Sequence, residues 1–233
     1  MLTVRKSADR GHRNHGWLDT RHTFSFADYH DPLHVHFGKL RVINEDRIDP
    51  GAGFGTHPHR DMEILSYVVS GAMEHEDSAG NGTVIRPGEI QRMSAGTGIL
   101  HSEHNHSATE PLHLLQIWIL PEARGLEPGY DQKRFDDRRK PNSLCLLASR
   151  SGGEDLVALN QDVDLYEGSL DGGGDLIHQV ATGREVWIQI VSGSLVLNGQ
   201  ALEAGDGCGV RHEVELRFRG VSDSIFLMFD MGR

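Results

Sequence analysis

Cysteine is scarce in this chain of 233 residues, which contains only Cys145 and Cys208, far apart in sequence. Two isolated cysteines do not make a disulfide framework, so we expect two reduced thiols. Long apolar runs are also missing, and none approaches the roughly 20 residues that a membrane-spanning helix needs. Residues 1–13 are polar and basic without an apolar core, which predicts no secretory signal and favours a cytoplasmic location.

Positive charge is in short supply as well. Lysine and arginine together number 23 against 34 acidic residues, a formal net charge of −11. This balance argues against direct binding to nucleic acid or to an anionic membrane, but not against a protein partner. The hydrophobic share of 37% and the charged share of 24% are typical of a globular protein with a buried core.

Helical periodicity is the next absence, because the apolar runs are short and are separated by Gly, Asn and Pro turns. Residues 62–69 and 112–119 are strongly apolar, and Asn81-Gly82 is a hairpin signal. The succession of apolar strands and turns in residues 63–89 recurs in residues 185–206, which indicates an internal repeat. We therefore predict an all-β protein with a first domain in 1–125, a linker in 126–143 and a second domain in 144–233.

Histidine is what the chain has in abundance. There are 15 histidines, and only His178 and His212 lie beyond residue 113. Chemistry that depends on histidine therefore belongs to the first half of the chain. Aromatic residues are also frequent in the first 37 positions, where they either pack on a sheet or line the mouth of a pocket.

Two histidine clusters have the spacing of a β-strand. His57 and His59 are two residues apart, as are His101 and Glu103, and such side chains point to one face of a strand. Imidazole and carboxylate ligands without thiolate suit Fe(II), Ni(II), Mn(II), Cu(II) or Zn(II). We predict that both clusters meet inside one barrel around one divalent ion, with positions left open for substrate or O2.

Spacing alone does not show which glutamate is the carboxylate ligand. Glu63 shares a strand face with His59, and Glu103 shares one with His101. Asn105 lies on the same face as Glu103 and is a candidate donor to a ligand. Gln116 is a candidate for the cavity wall, although a core position explains it equally well. The neighbouring histidines 75, 104, 106 and 113 are expected to be solvated or supporting residues.

These motifs resemble the cupin superfamily and, more narrowly, the pirin family. The first cupin motif is matched by Gly51, His57, His59, Glu63 and Gly71, and the second by Gly98, His101 and Asn105. The resemblance to pirins also covers residues 93–103 and the segment from Gly16 to Tyr29.

The resemblance implies a bicupin, with two stacked antiparallel β-barrels of the jelly-roll type and metal only in the N-terminal barrel. It implies a ligand set of His57, His59, His101 and Glu103, which favours Glu103 over Glu63. The expected ion is Fe(II), with Zn, Ni, Mn or Cu as alternatives. The implied activity is a dioxygenase that cleaves a flavonol such as quercetin with O2 and releases CO, with Glu103 as the candidate catalytic base.

Two other functions are compatible with the same residues. One is a non-enzymatic metal-binding or redox-sensing protein that acts through a protein partner. The other is a different cupin aromatic dioxygenase or an isomerase. Two barrels in one chain would supply the pairing that single-barrel cupins obtain by dimerising, so a monomer is expected.

Overall fold

The computed structural model describes residues 1–232, which form β-strands and two 3-10 helices, Ser7–Asp9 and Asp136–Arg138. No α-helix occurs among these residues. The strands form four sheets, and all pairings are antiparallel except one short parallel pair. The predicted all-β class is confirmed.

The first barrel consists of a large and a small sheet. The large sheet runs in the spatial order β12 (Gly129–Arg134), β9 (Glu89–Ser94), β6 (Glu63–Ser70), β11 (Leu112–Ile119), β4 (Leu40–Ile48), β3 (Leu18–His22) and β2 (Gly11–Asn14). The small sheet runs in the order β5 (Gly53–His59), β10 (Ile99–Asn105), β7 (Met73–Asp77) and β8 (Gly82–Ile85).

The second barrel repeats this plan. Its large sheet runs in the order β1 (Leu2–Arg5), β20 (Gly207–Val210), β17 (Arg184–Ser192), β22 (Ser224–Gly232), β15 (Val163–Leu170), β13 (Ser143–Ser149) and β14 (Val157–Ala158). Its small sheet runs in the order β16 (Asp175–Gln179), β21 (Glu215–Gly220), β18 (Ser194–Leu197) and β19 (Gln200–Glu203). Each barrel thus pairs a seven-stranded with a four-stranded sheet, which confirms the internal repeat.

The two barrels share one apolar cluster, to which both large sheets contribute. The ring of Trp187, from β17, lies 5.0 Å from Phe24 and 5.3 Å from Phe37 of the N-terminal half. Within this apolar layer, the Tyr67 hydroxyl donates a hydrogen bond of 2.7 Å to Glu167 of β15. Burial of this contact in a shared core fixes the barrels against each other.

Two segments pair differently from the predicted division of the chain. Strand β1 joins the second barrel, where Leu2 lies opposite Val210, although it begins the chain. Strand β12, inside the expected linker, pairs with β9 of the first barrel. Strand β12 is short and largely polar, so its pairing depends on backbone hydrogen bonds at a sheet edge, whereas Leu2 and Val4 of β1 pack against an apolar cluster of the second barrel.

Both cysteines are buried and unpaired, as expected. Among the described residues, no helix has the length and apolar character needed to cross a membrane.

Candidate metal centre

The predicted histidine clusters lie on two paired strands of the first barrel. In the pairing of β5 with β10, His57 lies opposite His101 and His59 lies opposite Ile99. The register shifts between His101 and Glu103, so a bulge separates these two residues. Gly53 is required opposite this bulge, because a Cβ there would collide with the carbonyl oxygen of Glu103.

The three imidazoles converge on one point. The Nε2 atoms of His57 and His101 are 3.1 Å apart, and the ring of His59 lies 4.8 Å from each of the other two rings. Two nitrogens that each lie about 2.1 Å from one ion at a right angle are about 3.0 Å apart. The three candidate ligand atoms, all within 4.8 Å of one another, therefore fit a single divalent ion.

The histidines also have the protonation state that a metal requires. Burial and the neighbouring imidazoles lower the pKa of His59 to about 4 and that of His101 to about 3. Both rings are therefore neutral near pH 7, which leaves a lone pair for coordination. His57 Nδ1 lies 2.8 Å from the carbonyl oxygen of Gly55 and donates its proton there, so Nε2 faces the other histidines as an acceptor.

Glu103 is buried beside His101 and held in place by amide and hydroxyl donors. Gln116 Nε2 donates to both carboxylate oxygens, at 2.8 and 2.7 Å. Ser66 Oγ lies 3.3 Å from the nearer of these oxygens and donates to it. These donors fix the orientation of the carboxylate, as expected for a metal ligand or an immobilised base.

A second possible metal-binding group shares His101 with the first. Ligand atoms of His75, His101 and Glu103 also lie within 4.8 Å of one another, and all three residues are buried. The predicted ligand set combines the first group with Glu103 and leaves out His75. His75 was expected to be solvated or supporting, yet its side chain is fully buried, 3.5 Å from Asp77 and 3.4 Å from Gln91. The spacing of His75 and Asp77 on β7 was the signal that could have found it.

Two of the predicted supporting residues lie elsewhere. The carboxylate of Glu63 accepts hydrogen bonds of 3.2 Å from the backbone and side-chain amides of Asn160, so it belongs to the contact between the barrels and not to the cavity wall. Asn105 Nδ2 donates to the carbonyl oxygens of Ile48, Asp49 and Glu110, which ties together loops at the end of the barrel. Gln116, by contrast, contacts Glu103 directly.

A cavity of about 640 Å³ opens beside the histidines, a size suited to a small-molecule ligand. The ring of Trp118 lies 4.9 Å from that of His59 in an edge-on arrangement and lines this cavity. The wall combines aromatic rings with a few polar groups: Trp17, Thr20, His22, Phe26, Asn44, Asp46, Phe54, His57, His59, Glu103, Gln116 and Trp118. Trp17 and Phe26 confirm that aromatic residues of the N-terminal segment line the pocket.

Asp46 is a wall residue that the sequence did not single out. It lies on β4 opposite Leu114 and Thr20, and burial, reinforced by the negative charge of Glu103, raises its pKa to about 7. Its position in the polar run Asn44-Glu45-Asp46, in the middle of a mostly buried strand, was the available signal.

Two stacked jelly-roll barrels, with a histidine cluster in one of them, define the class as a bicupin. Residues 3–119 match the family profile described as Pirin, and residues 146–231 match the one described as the quercetinase C-terminal cupin domain. A relative from Escherichia coli K12 named quercetin 2,3-dioxygenase is 48% identical over 231 residues, covering 99% of each chain. The chain belongs to the pirin family.

Solved structures agree with this assignment. The crystal structure of the bacterial pirin YhhW from Escherichia coli in complex with nickel(II) superimposes with a TM-score of 0.95 at 47% identity, covering 100% of this chain and 99% of that one. A relative from Pasteurella multocida named as a putative quercetin 2,3-dioxygenase is 42% identical over 235 residues, covering 99% of this chain and 100% of the relative.

Proposed function

We propose that this protein is a metal-dependent dioxygenase that cleaves a flavonol such as quercetin with O2 and releases CO. The observation that carries the proposal is the convergence of three imidazoles, of which two are held neutral by burial, on the wall of an aromatic cavity. The names of the relatives support the substrate class. The ligand set in this proposal is His57, His59, His101 and Glu103.

The proposed ion is Fe(II). Three imidazole nitrogens and one carboxylate oxygen accept several divalent ions, and the nickel complex of the bacterial pirin is consistent with that range. When bound, the ion supplies Lewis acidity toward a phenolic hydroxyl and access to the chemistry of O2. Metal analysis of protein prepared without nickel resin tests this choice, and a native preparation that holds no iron contradicts it.

The cavity wall orients a flat aromatic substrate. Trp118 and Phe54 offer ring faces and edges beside the histidines, and Trp17 lies edge-on to Phe54 with centroids 5.3 Å apart. Stacking on such side chains places a flavonol and excludes water from its heterocycle. The histidine side of the cavity then receives the 3-hydroxyl.

Glu103 is the proposed acceptor of the proton on the 3-hydroxyl. Gln116 donates one bond to each carboxylate oxygen and Ser66 donates to Oε1, so Oε2 keeps a further lone pair for the substrate. In the overall reaction both atoms of O2 enter the ester product, and the carbon that carried the 3-hydroxyl leaves as CO. Glu103→Gln and Glu103→Ala, assayed separately for metal content and turnover, distinguish a base from a ligand: a lost base lowers turnover alone, and a lost ligand lowers both.

Oxygen uptake and CO release with quercetin test the proposed activity. Iron-loaded protein is expected to consume O2 and release CO in equal amounts, and His57→Ala is expected to do neither. His178→Ala, in the second barrel, is the matched control and should keep both. Metal-loaded protein that leaves quercetin unchanged would contradict the proposal and favour a non-enzymatic metal-binding protein.

We also propose that the protein is a cytoplasmic monomer that binds no nucleic acid. The apolar faces of the two large sheets cover each other within one chain, so the surface a dimer would bury is already used. Light scattering is expected to give a mass near 25.8 kDa. A particle of twice that mass would contradict the monomer.

A further inference from the structure

The cavity wall contains two buried oxygen atoms that have no hydrogen-bond partner other than each other. Asp46 is 4% exposed and Thr20 is 3% exposed; Asp46 Oδ1 and Thr20 Oγ1 have no partner outside this pair, and the Thr20 hydroxyl lies close enough to Asp46 to counter part of the rise in its pKa. The two residues lie opposite each other on neighbouring strands, and both belong to the cavity wall. The Thr20 hydroxyl has one proton and a carboxylate has several lone pairs, so this pair is suited to a further donor brought by a ligand.

The position of this pair separates it from the histidines. Asp46 and Thr20 lie on the large sheet of the first barrel, whereas His57, His59 and His101 lie on the small sheet. The two groups therefore belong to different walls of one cavity. A ligand that reaches both walls must carry two polar groups.

The chemistry of the wall restricts what the second polar group can be. Glu103 lines the cavity, and the burial of Asp46 already disfavours negative charge at its position, so a carboxylate or phosphate on the ligand is not suited to this wall. Aromatic rings cover most of the remaining wall, which suits a flat apolar frame. A neutral donor on an aromatic ring, a phenolic hydroxyl, satisfies both conditions.

We propose that Asp46 and Thr20 form a hydroxyl-binding subsite that selects flavonols carrying a second phenolic hydroxyl in addition to the one held near the histidines. The inference rests on the proposed function in one respect, since it takes the bound polyphenol to be the substrate. In the subsite, the phenolic hydroxyl donates to Asp46 Oδ1 while the Thr20 hydroxyl donates to, or accepts from, the same ligand group.

Equilibrium binding under nitrogen tests the subsite without turnover. Trp17 and Trp118 line the cavity, so a bound flavonol quenches their fluorescence. The probes are quercetin, which carries several ring hydroxyls, and 3-hydroxyflavone, which keeps only the reacting one. Both are titrated into metal-loaded wild-type protein and into the variants Asp46→Leu and Thr20→Val, which remove the polar atoms at nearly constant volume.

In Asp46→Leu the dissociation constant for quercetin is expected to rise about 10- to 100-fold, and that for 3-hydroxyflavone to stay within about twofold. Thr20→Val should give a smaller loss of the same selectivity. Asp28→Asn is the matched control: Asp28 also faces the cavity, but it is exposed and already paired with Arg13 at 3.2 Å, so the ratio of the two constants should not change.

An equal loss for both flavonols in Asp46→Leu would overturn the inference, because Asp46 would then only shape the cavity. Unchanged binding of both would also overturn it and would mean that solvent satisfies the two oxygens. Failure of the proposed function has a different signature, since wild-type protein would then bind neither flavonol or bind quercetin without consuming O2 in air.

Discussion

The inner strands of the two barrels follow the same spatial order, but the first barrel has a polar centre at its small sheet and the second has an apolar one. In the first, His57 lies opposite His101 on the small sheet. In the second, the corresponding strands place His178 opposite Leu216 and Leu176 opposite Phe218. Leu216 and Phe218 belong to an apolar cluster that fills the second barrel. A few inward positions, and not the strand order, decide whether such a barrel holds a polar centre or an apolar core.

His178, the histidine on these strands of the second barrel, is already paired with a carboxylate. His178 Nε2 lies 3.0 Å from Asp230, and Arg184 contacts the same carboxylate. Although burial opposes it, hydrogen bonds from His178 and Arg184 lower the pKa of Asp230. Within residues 1–232, the groups of ligand atoms close enough to hold a metal lie in the first barrel. The second barrel contacts the first through the shared apolar cluster.

Removal of an imidazole should produce the largest contrast between the barrels. His101→Ala is expected to lose bound metal and to lower O2 uptake with quercetin by roughly 1000-fold or more, about 4 kcal/mol of transition-state stabilisation. His178→Ala should lower neither the metal content nor the O2 uptake by more than about twofold, because the His178 ring contacts Asp230 in the second barrel and not the metal site. Metal analysis measures the bound ion, and an oxygen electrode measures O2 uptake. Equal losses in the two variants would contradict the assignment of the metal site to the first barrel.

Truncation of the apolar core should weaken the second barrel whether or not metal is present. Leu216→Ala is expected to lower the free energy of unfolding by about 3–4 kcal/mol, through lost burial and the cavity left behind. Urea unfolding of metal-free and metal-loaded protein measures this cost. A loss that disappears on metal loading would show that the second barrel is not an independent apolar core.

The ion pair between Arg10 and Glu45 should make the stability of the fold sensitive to acid. Arg10 follows β1 of the second barrel, and its buried guanidinium pairs with Glu45 of the first at 2.5 Å. Burial alone would raise the pKa of Glu45, but His113 and Arg10 together hold it well below its ordinary value. A carboxyl with a lowered pKa stabilises the fold above its ordinary pKa and loses that contribution as the pH falls.

Glu45→Gln is therefore expected to lower the free energy of unfolding by about 3 kcal/mol at pH 7, because Arg10 is left buried without a counter-charge. The difference from wild-type protein should shrink as the pH falls below about 4, because the unfolded wild-type chain then takes up a proton at Glu45 that the folded protein does not. Unfolding curves from pH 3 to pH 8 measure it. A difference independent of pH would rule out the charge as its cause.

The smallest expected effect is the difference in metal affinity between substitutions of two buried glutamines, one in each barrel. Gln116 donates to Glu103 in the first barrel, whereas Gln189 donates to the backbone carbonyls of Gly205 and Asp206 in the second. Gln116→Leu is expected to weaken metal binding about tenfold, because Glu103 loses its orienting donor. Gln189→Leu should leave metal affinity unchanged. Competition with a chelator gives both constants, and equal affinities in the two variants would remove Gln116 from the metal site.

The meeting of the histidine clusters could be predicted from sequence because both have period two, and paired strands bring such faces together. His75 and Asp46 have weaker signals, namely the spacing of His75 and Asp77 and the polar run at residues 44–46, since such residues point inward or outward according to a register that the sequence does not state. Glu63 was misplaced for a different reason: its partner Asn160 is 97 residues away in the other barrel.

The position of the bound metal tests the central claim most directly. Anomalous diffraction at the iron absorption edge, from crystals of the iron-loaded protein, should give one peak in contact with His57, His59, His101 and Glu103, and none in the second barrel. A peak held by His75, His101 and Glu103 without His57 and His59, or a second peak near His178, would contradict the account.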